Sequence, residues 1–174
     1  MIQRILLFTL VILGFSTLNS QEAKTISIGN QVWMSSNMDS IVVNSYCYVN
    51  DTNNCSKYGR LYNWETALII CPQGFHLPSD TEWAELIDTL GGPNVASQNL
   101  QKKESNGFNA VLAGNFNKGL DVFSFLDRNA YYWTSTAFNK KVAWFRQIGE
   151  NQTNINRSTV DKEYFFSVRC LKDK

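Results

Sequence analysis

Hydrophobic and polar positions along this chain predict helices early and strands late. Residues 25–34 (TISIGNQVWM) alternate around a Gly29–Asn30 turn signal and predict a hairpin or two short strands. Residues 35–54 are polar and turn-rich apart from 41–43 and 46–49, and residues 58–62 (YGRLY) read as a short extended segment. Asn63 is placed to cap a helix over 64–71, where Trp64, Ala67, Leu68 and Cys71 share one face until Pro72 and Gly74 stop it. A second helix is predicted to start at Ser79, because Ser79-Asp80-Thr81-Glu82 forms a capping box. Its apolar stripe is Trp83, Leu86, Ile87 and Leu90, and Gly91–Gly92 end it through a left-handed cap. Residues 93–106 are polar and read as a solvated loop. Residues 108–116 are punctuated by Gly and Asn, whereas 130–136, 142–148 and 164–171 are rich in aromatic and β-branched residues and predict strands. One more weak strand is expected within 149–162. Helices first and strands afterwards predict an α+β fold, with two early helices packed on an antiparallel sheet.

The N-terminus changes the picture of where the chain works. Arg4 precedes the apolar run ILLFTLVILG at 5–14, and small or polar residues (Ser16, Asn19, Ser20) lead to an expected cut before Gln21. The run is 10 residues long, against roughly 20 for a spanning helix. Residues 1–20 therefore read as a signal peptide and 21–174 as one exported domain. No stable membrane insertion is expected after cleavage, and the alternative is an uncleaved N-terminal anchor. A net charge of +1, which includes Arg4, lacks the basic footprint of a nucleic-acid binder. An aromatic content of 13% suits a packed core and argues against disorder.

Four cysteines (Cys47, Cys55, Cys71 and Cys170) form an even set, which in an exported chain favours disulfides. Three pairings are possible. Cys47–Cys55 with Cys71–Cys170 is favoured, since the first closes a short polar loop (CYVNDTNNC) and the second ties mid-chain to the last strand. The C-x7-C spacing matches no zinc signature, and the chain has one histidine, His76.

Four blocks carry a resemblance to a known family: IGNQVWMSSNM at 28–38, YGRLYNWETALIICPQGFHLPSDTEW at 58–83, YYWTST at 131–136 and SVRCLKD at 167–173. In this order they resemble the Fibrobacter succinogenes major paralogous domain, found in exported proteins of Fibrobacter and Bacteroidetes-type bacteria. Trp64, Ala67 and Cys71 are also similar to the first helix of C-type-lectin-like domains. That resemblance implies a C-type-lectin-like fold and a Cys71–Cys170 bridge. FHLPSDTEW and the terminal VRC are similar to formylglycine-generating and sulfatase-modifying-factor domains.

These resemblances do not carry their activities across. Gly92-Pro93-Asn94 and Trp133-Thr134-Ser135 lack the oxygen ligands of a calcium-dependent sugar site. Cys170, expected in a structural disulfide, supplies no reactive thiol for formylglycine chemistry. His76 has no recognisable nucleophile beside it in sequence and is expected to hydrogen-bond to backbone. Asp80 and Glu82 are explained by capping and the helix dipole, and Asp121, Asp127 and Asn129 by an ordinary turn. Trp33, Trp64, Trp83 and Trp133 are expected in the core. Trp144 and Phe145 are adjacent in a strand and point to opposite faces, so one of them is expected exposed, as is one of Tyr131 and Tyr132. The sequence thus predicts an exported, non-catalytic binding or surface-adhesion module for an extracellular glycan or protein. It assigns no catalytic, cofactor-binding or metal residue, no cofactor and no nucleic-acid partner. The alternatives are an enzyme with an unrecognised site of the formylglycine-generating type and a purely structural surface protein.

Overall fold

The computed structural model describes residues 24–102 and 107–174, so the expected signal peptide at 1–20 lies outside the described residues. In chain order the elements are β1 (Thr25–Ile28), β2 (Gln31–Met34), β3 (Ser45–Tyr46), α1 (Thr52–Tyr58), β4 (Leu61–Tyr62), α2 (Trp64–Ala67), β5 (Phe75–His76) and α3 (Asp80–Thr89). There follow α4 (Ala96–Gln101), β6 (Ala113–Asn117), β7 (Val122–Leu126), β8 (Asn129–Ala137), β9 (Val142–Gly149), β10 (Asn156–Asp161), β11 (Tyr164–Ser167) and β12 (Leu171–Lys172). The strands form two sheets. The smaller runs β1-β2-β12-β5, and the larger runs β10-β9-β8-β6-β11-β4-β3 with β7 paired on β6.

This architecture corrects the expected α+β, C-type-lectin-like arrangement of two helices on an antiparallel sheet. Among the described residues the protein is mostly β, with 12 strands in two sheets and four short helices. The helix expected over 64–71 stops after one turn at Ala67, although Asn63 caps it by accepting from the Thr66 N–H at 3.1 Å. Its apolar spacing is met by that one turn plus a non-helical segment that carries Cys71 to the sheet. The larger sheet is also mixed rather than antiparallel, because β8 runs parallel to β6 at Gly114↔Ala130 and to β11 at Ser167↔Tyr132. The second helix forms as expected over α3, with both bonds of the Ser79–Glu82 capping box present and Gly91 and Gly92 at φ 96 and 89 behind it.

Alternation along β8 divides the core. Tyr132 points into a cluster with Trp33, Trp83, Leu86, Leu100 and Phe108, beneath α3 and α4. Tyr131 and Trp133 point the other way, into a cluster with Trp64, Phe145, Phe166 and Val168. The helices α2 and α3 therefore lie against opposite faces of the larger sheet. A third cluster gathers Tyr58, Leu61, Phe116 and Phe165 at the β6–β11 end. Arg169 is 1% exposed and is held by neutral oxygens: its Nε and Nη2 donate to Asn37 Oδ1 at 3.0 and 2.7 Å, and Nη1 donates to the Met34 and Phe108 carbonyls. Its guanidinium also lies 4.3 Å from the Phe108 ring centroid.

Two disulfides close the chain, Cys47–Cys55 across 8 residues and Cys71–Cys170 across 99. Such bridges fit an extracellular or periplasmic setting. Among the described residues no helix is long and apolar enough to cross a membrane.

Candidate functional site

The face of the larger sheet that carries Tyr131 is covered by α2 at one end and open at the other. There an open groove of about 330 Å³ lies over β6 to β11. Period-two alternation sets its walls: Asn115 and Asn117 on β6 stand opposite Ser124 and Val122 on β7, all on the groove side. Tyr131, Phe145 and Phe166 make the floor, with the Tyr131 and Phe166 rings stacked at 5.0 Å. Leu120, Val122 and Phe125 stand exposed at the rim, and Tyr164 and Val160 are half-buried at the far side. Two amides meet two phenols here. Asn117 Nδ2 donates to the Tyr164 hydroxyl at 2.7 Å and Asn129 Nδ2 to the Tyr131 hydroxyl at 3.3 Å. Burial pushes the Tyr131 phenol above its ordinary value despite the opposing pull of Asn129 and Asn115, so it stays a neutral donor. Among the described residues no charged side chain lines the groove.

The residues singled out from the sequence fall mostly elsewhere. His76 does not bond to backbone as expected. Its ring joins two carboxylates, with Nδ1 2.6 Å from Asp173 and Nε2 3.1 Å from Glu82. Asp80 does more than favour its helix end: it pairs with Arg146 at 2.6 Å and Arg157 at 2.8 Å, and so fastens α3 to β9 and β10. Glu82 accepts from the Ser79 N–H at 2.7 Å and the Ser79 hydroxyl at 2.8 Å. Burial would raise its carboxyl, but these bonds and His76 outweigh it and hold Glu82 below its ordinary value.

A depressed carboxylate contributes stability above its unfolded pKa and loses it as pH falls through the folded value. Glu82→Gln keeps a capping-box side chain but removes the charge. It is therefore expected to be less stable than the parent near neutral pH. The gap should close as pH falls below about 4, as read by denaturant melts at several pH values. A gap that stays constant with pH would refute this account.

Asp121 and Asp127 occupy turn positions at φ 54 and 57. Asp127 accepts from the Tyr58 hydroxyl at 2.6 Å, while Asn129 serves Tyr131, so the three do not converge. Among the described residues no group of three or more His, Cys, Asp or Glu is placed to hold a metal ion. Trp33, Trp64, Trp83 and Trp133 are buried. Of the adjacent pair in β9, Phe145 lies in the groove floor, while Trp144 is half-buried on the opposite face with the Arg157 guanidinium 3.4 Å over its ring. Neither Tyr131 nor Tyr132 is exposed (8% and 0%), contrary to expectation: Tyr132 packs beneath α3 and α4, and Tyr131 lies against Phe145 and Phe166 in the groove floor. Sequence reasoning missed Asn115, Asn117, Ser124, Phe125 and Tyr164. The available signal was the period-two placement of Asn115 and Asn117 against Val122 and Ser124 across a short Gly-containing turn.

A family model described as the Fibrobacter succinogenes major domain matches residues 26–172. No match emerges among curated proteins or among solved structures.

Proposed function

We propose that this chain, which belongs to the Fibrobacter succinogenes major domain family, is an exported, non-catalytic binding module that holds an uncharged ligand in the groove above Tyr131. The observation that carries the reading is the chemistry of that groove. It joins aromatic rings, two amides, two phenols and a serine hydroxyl in one concavity that no charged side chain lines among the described residues. Binding sites of this kind are mainly apolar, with a few polar groups that fix orientation. Export is supported by the Arg4-led apolar run and by the two disulfides.

Two measurements test the reading. Mass spectrometry of the protein recovered outside the cytoplasm is expected to find an N-terminus near Gln21, and an intact Met1 there would overturn export with cleavage. For binding, amide-resolved NMR of the mature domain is followed against a library of neutral and charged oligosaccharides and peptides. Ligands that bind are expected to be uncharged and to shift Asn115, Asn117, Tyr131 and Tyr164. Binding confined to charged members, or shifts mapping to another surface, would refute the assignment.

A further inference from the structure

We infer that the ligand is a neutral saccharide, stacked on Phe125 and hydrogen-bonded by the amides and phenols beside it; this rests on the groove being the binding site. The starting point is a broken alternation in β7. Phe123 points away from the groove and stacks on Phe116 at 4.2 Å with an interplanar angle of 16°. Regular alternation would send Phe125 to that same covered face. Instead Phe125 has a φ of 65, in the left-handed region, and its ring turns over to the groove rim, where it is 50% exposed and 6.2 Å from Tyr131. An aromatic residue at positive φ is an outlier. The neighbouring backbone is shaped to allow it. Gly114, across the hairpin, sits at φ 67, and a Cβ there would come within 2.4 Å of the Ser124 carbonyl oxygen and 2.9 Å of the Leu126 nitrogen.

The strained backbone leaves half of a large apolar ring facing water in the free protein, away from the covered cluster that holds Phe123. Such strain points to function, and here the function is presentation of a flat apolar surface to a partner. The groove defines that partner by chemistry. Among the described residues that line it there is no charge to pair with a phosphate, a carboxylate or an amine. It has hydroxyls and amides in excess of what an acyl chain would use. The Tyr131 and Tyr164 oxygens each accept from an asparagine amide, which leaves each phenolic O–H to donate outward. A sugar ring matches both halves, with its C–H face on an aromatic plane and its hydroxyls on alternating donors and acceptors. An extended peptide fits less well, because strand addition requires a free sheet edge and the floor here is a sheet face.

The test uses the mature protein and calorimetric titration with named probes: neutral hexasaccharides of glucose, xylose and mannose, oligogalacturonate, and a neutral apolar peptide. At least one neutral hexasaccharide is expected to bind and to shift the groove amides. Phe125→Gly removes the ring and relieves the backbone together. It is expected to weaken that binding at least tenfold while leaving the melting temperature unchanged or raised; a ring that served packing alone would lower it. Phe125→Trp is expected to retain binding. A saccharide that binds Phe125→Gly as tightly as the parent would overturn the stacking role. Binding of the peptide at the groove with no saccharide bound would overturn the saccharide inference and leave the groove reading standing. Groove signals unmoved by every probe would overturn both.

Discussion

Replacing Cys71 and Cys170 together by alanine is expected to destabilise the folded domain by about 4–5 kcal/mol. The bridge spans 99 residues, and closing a loop of that length removes on the order of 4.7 kcal/mol of entropy from the unfolded chain. The Cys47–Cys55 bridge spans 8 residues, for which the same relation gives about 2.5. The native state adds to the difference. Cys170 is fully buried in the cluster with Trp133 and Phe166, and its carbonyl accepts from the Met34 N–H at 2.9 Å. Through Cys71 it anchors the segment that follows α2, which has little helical hydrogen bonding of its own once the helix stops at Ala67. Against a total of about 5–15 kcal/mol, loss of the long bridge takes a large share and loss of the short one a smaller share. Urea unfolding of both double variants measures this directly, and non-reducing peptide mapping of the parent should recover the two linked pairs. A larger loss from Cys47→Ala with Cys55→Ala would refute the argument.

What was legible in the sequence followed from local rules. The Ser79–Glu82 capping box and the stripe of Trp83, Leu86 and Ile87 specify α3 within one stretch of chain, and the paired glycines end it. The aromatic and β-branched run of β8 reads as a strand whatever it pairs with. The architecture was less legible, because it depends on pairings between distant residues. Nothing in the period of β6 or β11 says that each meets β8 in parallel, and β12 is two residues long, so its place between β2 and β5 is set by partners. The helix α4 lies inside a polar stretch, and its signal was the i, i+4 pair Ala96 and Leu100, both fully buried. The helix α1 lies within the cysteine loop, where Asp51 caps it by accepting from the Asn53 N–H at 2.9 Å. The groove was half legible. Its amide and aromatic rows follow from alternation, but the reversal of Phe125 breaks that alternation and appears in the backbone alone. His76 was misread for a related reason: one of its carboxylate partners, Asp173, is 97 residues away.

Gly114→Ala carries the second large expected effect, and it separates backbone strain from crowding. A non-glycine residue in the left-handed region costs about 1–2 kcal/mol, which Gly114 avoids at φ 67. The added methyl also meets backbone atoms, which cannot swing aside as the end of a flexible side chain can: the Ser124 oxygen at 2.4 Å and the Leu126 nitrogen at 2.9 Å. Forced overpacking of this kind costs about 1–3 kcal/mol more, for a total of roughly 2–5. Gly74 supplies the control. Its φ is 82 and a Cβ there would have nothing within 4 Å, so Gly74→Ala is expected to cost the backbone share alone, about 1–2 kcal/mol. The difference between the two variants in urea unfolding then measures how tightly β7 is pressed onto β6. Relief of the clash at Gly114 requires β7 to move away from β6, and that movement carries Ser124 and Phe125 with it. Gly114→Ala should therefore shift the amide signals of Ser124, Phe125 and Tyr131, while Gly74→Ala leaves them in place. Equal destabilisation by the two substitutions, with the groove signals unmoved in both, would refute the crowded hairpin and remove the backbone support for Phe125 at the rim.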